Sequence, residues 1–255
     1  MINSLEGEQK ENEWRYELHR FLRARKWNVA HTIKSLREMI QWRIDNKVDS
    51  ILEDAPTISR MDLLRRVLPS AQHGYTKADR PLYIEKSGLI RVNKILNMFT
   101  PEEVLQCHIY WLEYTCQRAR ERSRQLGKHV ETFISISDLH GCKWNVRKIL
   151  HLCKQSLHID ENYCPERLGQ LFVVNPPAIF PALWDIVKHW VDPVTKAKII
   201  VIKKGSGTST LLLQHIDSDQ LPHEYGGSCN SCSAAPNCIP VYDWSKDNAD
   251  DEQEE

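Results

Sequence analysis

Eight cysteines, eleven histidines, a glycine pair and a set of basic and hydroxyl side chains are the residues here with the types for chemistry. His151 and His158 stand seven apart and share a helical face with Cys153, but no acidic or thiol partner sits at a ligand spacing, so they read as structural. Neither Cys142 nor Cys153 is followed by an arginine at the distance a phosphate-binding loop needs, and no Gly-x-Ser-x-Gly elbow for a hydrolase occurs. Gly205-Ser206-Gly207-Thr208 lacks the lysine and hydroxyl residue that a phosphate loop places after its last glycine. Cys229, Cys232 and Cys238, with His223 upstream, offer one Cys-x-x-Cys spacing and two loose ones. Zinc is one reading of them; the reading adopted is small thiols packed in an extension, with no metal. No catalytic constellation survives these spacing tests, which points away from an enzyme.

Binding chemistry remains. Arg20, Arg23, Arg25 and Lys26 form a basic cluster in a joint between two helical stretches, which composition alone reads as a solvated face. Phe133 to Asp138 alternates: Ile134 and Ile136 point to one face of a strand, Phe133, Ser135 and Ser137 to the other. A central strand with serines on its second face meets something partly polar there, either a polar helix or a ligand.

These residues are positioned by elements that the pattern specifies. Leu171 to Val174, closed by Asn175-Pro176-Pro177, and Lys198 to Ile202 are continuous apolar runs that read as buried strands. Between them Ile179, Leu183, Ile186, Val187 and Trp190 recur at helical spacing, and Asp192-Pro193 stops the helix. A strand, crossover helix and strand unit implies an α/β fold with a largely parallel sheet. Pro81 to Glu85 reads as the first strand of that sheet, after a polar link. Thr100-Pro101-Glu102-Glu103 is a capping box that opens a long helix to about Leu126, whose charged second half is exposed. Helices are further expected over Arg60 to Leu68 and over Lys143 to His158, the latter with Val146, Ile149, Leu150, Cys153 and Leu157 as its buried stripe. Trp14 to Arg23 and Asn28 to Asn46 form a helical hairpin with Asn28 as cap and Val29, Ile33, Leu36, Ile40 and Ile44 along one stripe. Thr210 to Ile216 is a short helix, too apolar for a surface piece unless it covers something.

Composition sets the limits. At 255 residues the chain is long enough for one large domain with a helical appendage, and Lys plus Arg equals Asp plus Glu at 34 each, so no global field draws it to nucleic acid. No apolar run approaches the length that spans a bilayer, and the polar, acidic first residues are not a secretory signal. The expectation is a cytoplasmic protein with reduced thiols and a disordered acidic tail.

The run YCPERLGQLFVVNPP, followed by Trp190 and VDPVTKAKI, resembles the core signature of the CRAL-TRIO lipid-binding domain, in its branch of phosphatidylinositol transfer proteins. FLRARKWNV at Phe21 to Val29, ISDLHG at Ile136 to Gly141 and LPHEYGG at Leu221 to Gly227 match in the expected order, so that the resemblance covers residues 15 to 228. Asp79 stands where the family usually has glycine; aspartate adopts the same turn at some cost. The resemblance implies three regions: a helical subdomain over 1–60, the lipid-binding domain over 61–228, and a cysteine-containing extension with acidic tail over 229–255. It implies a sheet that floors a lipid cavity lined by Phe133, Ser135 and Ser137, with the inositol phosphate head held by Arg25, Glu166, Thr195 and Lys198. Arg167 would brace Glu166. It also implies a gate helix carrying Leu211, Leu212, Leu213 and Ile216, hinged at Gly205 and Gly207. Phe133 departs from the small hydroxylic residue found in relatives that also carry phosphatidylcholine, which counts against that second lipid.

The resulting expectation is a monomeric carrier that binds one phospholipid, phosphatidylinositol, and exchanges it between membranes in transient, peripheral contact, with no cofactor beyond the bound lipid. The same fold leaves two alternatives open: a sterol or isoprenoid carrier, or a lipid-sensing module that presents phosphatidylinositol to a lipid kinase.

Overall fold

A computed structural model describes residues 7–203, 207–232, 234–235 and 237–246. The chain opens with an antiparallel pair of helices, α1 (Gly7–Ala24) and α2 (Val29–Asp45). The reversal between them is made by Lys26 and Trp27, both in the left-handed region (φ 51° and 61°), and Asn28 caps α2 by accepting from the His31 amide at 3.0 Å. A 3-10 turn leads to α3 (Ala55–Val67), which is capped by Asp54. Then come strands β1 (Ser70–Tyr75) and β2 (Pro81–Glu85), helices α4 (Val92–Met98) and α5 (Pro101–Leu126), strand β3 (Phe133–Asp138), helix α6 (Leu150–Asn162), strand β4 (Leu168–Val174), helices α7 (Phe180–Val187) and α8 (Pro193–Ala197), strand β5 (Ile199–Ile202) and helix α9 (Thr208–His215).

The five strands lie in the order β1-β2-β3-β4-β5, with β1 antiparallel to β2 and every later pair parallel. Successive parallel strands that are also spatial neighbours need crossovers of one hand, so the crossovers through α4–α5, α6 and α7–α8 all fall on the same side of the sheet. The opposite side is left to the chain after β5. There Leu82, Ile84, Ile134, Ile136, Phe172, Val174 and Ile202 pack against Leu212, Ile216, Leu221, Tyr225 and the cysteine-rich extension as the main core. Each aliphatic side chain buried there contributes about 1.5–3 kcal/mol before the entropy of ordering it. The LPHEYGG turn is fastened to this face by the Tyr225 hydroxyl, which donates to Asp138 at 3.1 Å. Only glycine fits at 227, because a Cβ there would fall 1.9 Å from the Leu221 carbonyl oxygen.

The α/β class, the parallel strands and the capping box at Thr100 agree with the sequence, and four readings change. Pro81–Glu85 is the second strand: Ser70–Tyr75 pairs antiparallel with it as an edge strand, and its composition, SAQHGY, carries no apolar alternation that would reveal it. Helix α2 turns its polar side inward. Thr32, Ser35 and Met39 are buried, while Val29, Ile33, Ile40 and Ile44 are exposed, because Ser35 accepts from Arg25 and the Thr32 hydroxyl donates to the Asn28 carbonyl. The stretch before α6 begins as a 3-10 helix over Trp144–Ile149, whose tighter winding rotates the buried stripe from Cys153 and Leu157 to Leu152 and Ile159. The charged half of α5 is also less exposed than its composition suggests. The Arg118 and Arg122 guanidiniums lie over the Tyr75 ring at 4.9 and 4.7 Å, and Arg122 pairs with Asp79 at 2.5 Å. Asp79 itself sits at φ 62°, the left-handed turn that glycine would have taken.

Candidate functional site

The residues singled out at distant points of the sequence converge at the starts of β4 and β5. Arg25, in the joint after α1, donates from Nε to Ser35 at 2.8 Å and reaches the Glu161 carbonyl only at 3.4 and 3.5 Å, so its Nη donors are weakly held. The Glu161 carboxylate accepts from the Asp192 amide at 3.0 Å. Burial pushes the Glu161 carboxyl up, with the Asp192 and Asp160 charges adding to the rise against the bond from the amide. Asp192 in turn caps the Pro193–Ala197 helix, accepting from Val194 at 2.8 Å and Thr195 at 3.1 Å. Burial opposes ionisation of Asp192, yet a hydrogen bond from the Thr195 hydroxyl, with the Thr195 and Val194 amides, outweighs it and holds the carboxyl below its ordinary value. The Thr195 carbonyl accepts from the Lys198 amide at 3.0 Å, and Lys198 Nζ donates to Glu166 Oε2 at 3.0 Å. One chain of polar contacts thus connects Arg25, Thr195, Lys198 and Glu166.

Glu166 is held where it is by the helical N-terminus. It adopts φ 59°, a left-handed region uncommon for any residue that carries a Cβ, between two neighbours that α1 grips. Arg20 donates to the Pro165 carbonyl and to Glu17, and Arg167 donates to Glu17 and, at 3.2 Å, to the Glu131 carbonyl. Burial works against the Glu17 charge, but the Arg167 and Arg20 guanidiniums win and bring its carboxyl down to about 2. This buried triad braces the Pro165–Arg167 turn and with it the orientation of the Glu166 side chain.

The sheet face beside that rim is only partly covered. Tyr83, Glu85, Phe133, Ser135, Ser137, Leu171 and Val173 point to the crossover side. Ser135 and Ser137 are only half-buried although they belong to the central strand, and Val201 of β5 is exposed. Tyr83, Val173 and Phe133 are buried, Phe133 beneath the Trp111 ring of α5, which meets it edge-on at 5.2 Å, so bulk stands at one end of this face. Cys153 of α6, like Val201, is exposed.

A second polar cluster lies at the far ends of β2 and β3. The Tyr83 hydroxyl donates to Glu85 at 3.0 Å, Ser87 donates to the same carboxylate at 2.6 Å, and the Ser87 and Ser137 hydroxyls are 2.7 Å apart. Tyr83, Glu85 and Ser87 were not singled out in the sequence. Their signal was the period of two in PLYIE, which the parallel register Tyr83↔Ser135 and Glu85↔Ser137 brings onto the serine face.

The expected gate is corrected. Leu212 and Ile216 are completely buried in the main core, with Leu211 and Leu213 packed against it, on the face opposite the serines. Helix α9 is also tied down by Lys77, whose amide donates to the His215 carbonyl at 2.9 Å and whose ammonium donates to the Leu213 carbonyl at 2.6 Å. Gly207 is the left-handed residue that starts this helix, at φ 75°, and Gly205 lies outside the described residues. The element that borders the serine face loosely is α7. Its sequence, FPALWDIV, is almost wholly apolar, but only Leu183 is buried, Ile186 is exposed, and among the described residues no other helix or strand makes extensive contact with it.

Comparison with known proteins shows the family and the fold. A family model described as the CRAL/TRIO domain matches residues 66–227, and one described as the CRAL/TRIO N-terminal domain matches residues 2–38. The phosphatidylinositol/phosphatidylcholine transfer protein SFH9 of Arabidopsis thaliana is 32% identical over 223 residues, which are 86% of this chain and 38% of SFH9. The SEC14 cytosolic factor of Eremothecium gossypii is 33% identical over 219 residues, 85% of this chain and 70% of that protein. The chain therefore spans well under half the length of the Arabidopsis relative and most of the fungal one. Among solved structures, one titled "Crystal structure of Sfh5" superposes with a TM-score of 0.67 at 19% identity, over 84% of this chain and 71% of that one, which shows the shared fold.

Proposed function

The chain belongs to the CRAL/TRIO family, in its branch of phosphatidylinositol transfer proteins, and on that premise we propose that it holds a single phospholipid, phosphatidylinositol, over the serine face of the sheet and moves it between membranes. The observation that carries this reading is the convergence of Arg25, Thr195, Lys198 and Glu166 on one contact chain beside a half-open sheet face. A phosphorylated inositol is an anion ringed by hydroxyls. Arg25 and Lys198 supply charged donors to the phosphate, Thr195 a hydroxyl, and Glu166 an acceptor for ring hydroxyls. The acyl chains lie along Ser135, Leu171, Val173 and Ile199, away from water. Each methylene kept from water is worth about 0.8 kcal/mol, so a carrier lowers a desorption barrier that a free lipid crosses only slowly.

Helix α7 is the movable cover in this reading. It is apolar enough to enter a membrane interface, is held by little packing, and lies within the crossover between β4 and β5. Phe133 under Trp111 shortens the space at one end of the face and favours phosphatidylinositol over phosphatidylcholine. The test is extraction of the purified protein followed by lipid mass spectrometry. Phosphatidylinositol as the dominant co-purifying species is expected; a neutral sterol or isoprenoid, or no lipid at all after incubation with phosphatidylinositol vesicles, overturns the reading.

A further inference from the structure

We infer that His73, Cys229, Cys232 and Cys238 form a structural zinc site that staples the C-terminal extension to the edge of the sheet. The ligating atoms of these four residues all lie within 4.8 Å of one another. In a tetrahedral site, sulfurs about 2.3 Å from the metal stand roughly 3.8 Å apart, so side-chain adjustments of an ångström or less close the geometry. Cys232 and Cys238 sulfurs are 3.2 Å apart, well beyond the length of a disulfide bond.

Three features point to a ligand rather than to thiols packed for volume. His73 is 4% exposed and neither ring nitrogen makes a hydrogen bond of good geometry; one lies close to a Gln220 backbone group, which leaves the other nitrogen of a buried imidazole for the three sulfurs. It is placed there by a β-bulge: His73 and Gly74 together oppose the single residue Leu82, since Gln72 pairs with Tyr83 and Tyr75 with Pro81. The Cys229-x-x-Cys232 turn directs the amides of Cys232 and Ser231 at the Cys229 sulfur, the arrangement by which short cysteine turns stabilise a metal-bound thiolate. Three sulfurs and one imidazole nitrogen are a closed, borderline-soft donor set, which selects zinc over magnesium or calcium and leaves no open position for catalysis.

From the sequence His223 was the only histidine near these cysteines. The structure leaves His223 exposed at the surface and substitutes His73, which β1 brings from far upstream. The staple joins the first and last parts of the sheet domain. Cys229 and Cys238 sit in the main core with Ile239 and Leu221, so the metal fixes the cover on the closed face of the sheet.

The experiment is elemental analysis of the full chain, purified without a polyhistidine tag under reducing conditions, together with cobalt(II) substitution. One zinc per chain is expected, released by a mercurial thiol reagent, and the cobalt form should show tetrahedral d–d bands with a strong sulfur-to-cobalt charge-transfer band. His73→Ala and Cys232→Ser should each lower zinc retention after chelator dialysis at least tenfold. Because either variant could fold poorly, the wild-type cobalt spectrum is decisive by itself. A reduced wild-type chain that takes up neither zinc nor cobalt, a mapped disulfide between Cys232 and Cys238 in place of metal, or undiminished zinc in the His73 variant each overturns the site.

Discussion

At the scale of single residues, the site is a small number of charges held by one another and by backbone groups. Lys198 and Glu166 are each about one-fifth exposed, which is enough for a ligand to reach them and little enough that their pairing is not washed out by water. A phosphate approaching Lys198 competes with Glu166 for the ammonium, and the displaced carboxylate is left facing the inositol hydroxyls. The head-group role therefore predicts selectivity. Changing Arg25 and Lys198 together to alanine should weaken phosphatidylinositol binding by about 3 kcal/mol, roughly a hundredfold, with little change in the uptake of an uncharged lipid. Competition between labelled lipids on the purified protein measures this. An equal loss of every lipid would mean that the two residues serve folding alone. Phe133 adds a second residue-level constraint, since an aromatic ring wedged beneath Trp111 occupies volume that a hydroxyl side chain would leave open.

At the scale of elements, two short apolar helices with similar sequence signals end in different places. Both α7 and α9 are too apolar for an ordinary surface position, and hydrophobicity alone gave no reason to prefer one as the cover. Topology decides between them. Crossovers of one hand put α7 on the serine side, and the chain after β5 has only the other side left, where α9 is sealed into the core. Aspartate substitutions separate the two roles. Leu212→Asp in α9 places a charge at a fully buried position and should cost at least about 3 kcal/mol, seen as loss of folded protein in denaturant titration. Ile186→Asp in α7 alters an exposed residue and should leave the unfolding free energy within about 0.5 kcal/mol of the wild type while lowering vesicle-to-vesicle transfer about tenfold. Full transfer by the Ile186 variant would remove α7 as the cover.

At the scale of the whole molecule, the sequence carried the parts whose order is local and lost those fixed by distant packing. The capping box at Thr100, the cap at Asn28 and the apolar runs of β3, β4 and β5 are written in adjacent residues, and they were legible. The four rim residues came from the family motif and not from spacing, because nothing in Arg25 or Lys198 alone distinguishes a ligand from a solvated charge. The edge strand β1 was hidden because SAQHGY has no apolar alternation, and the inward polar side of α2 and the partner of the cysteines because each depends on a residue more than a hundred positions away or on a helix's rotation about its axis. Arg25 reaches Glu161, His73 meets Cys229, and Glu17 meets Arg167. That last contact gives the molecule a pH dependence that its balanced composition does not announce. Glu17 has its carboxyl lowered from 4.5 to about 2, so the stabilisation it provides is complete above pH 4.5 and is lost as the pH falls through that window towards 2. The shift corresponds to about 3 kcal/mol. Wild-type stability by urea titration should therefore fall steeply between those pH values. Glu17→Gln should be less stable at neutral pH, since two buried guanidiniums lose their counter-charge, and should show a flatter acid limb. With the turn at Pro165–Arg167 released, the same variant should bind phosphatidylinositol more weakly although Glu17 touches no lipid in this arrangement. A variant whose acid limb overlays that of the wild type would show that the triad does not couple the helical N-terminus to the sheet.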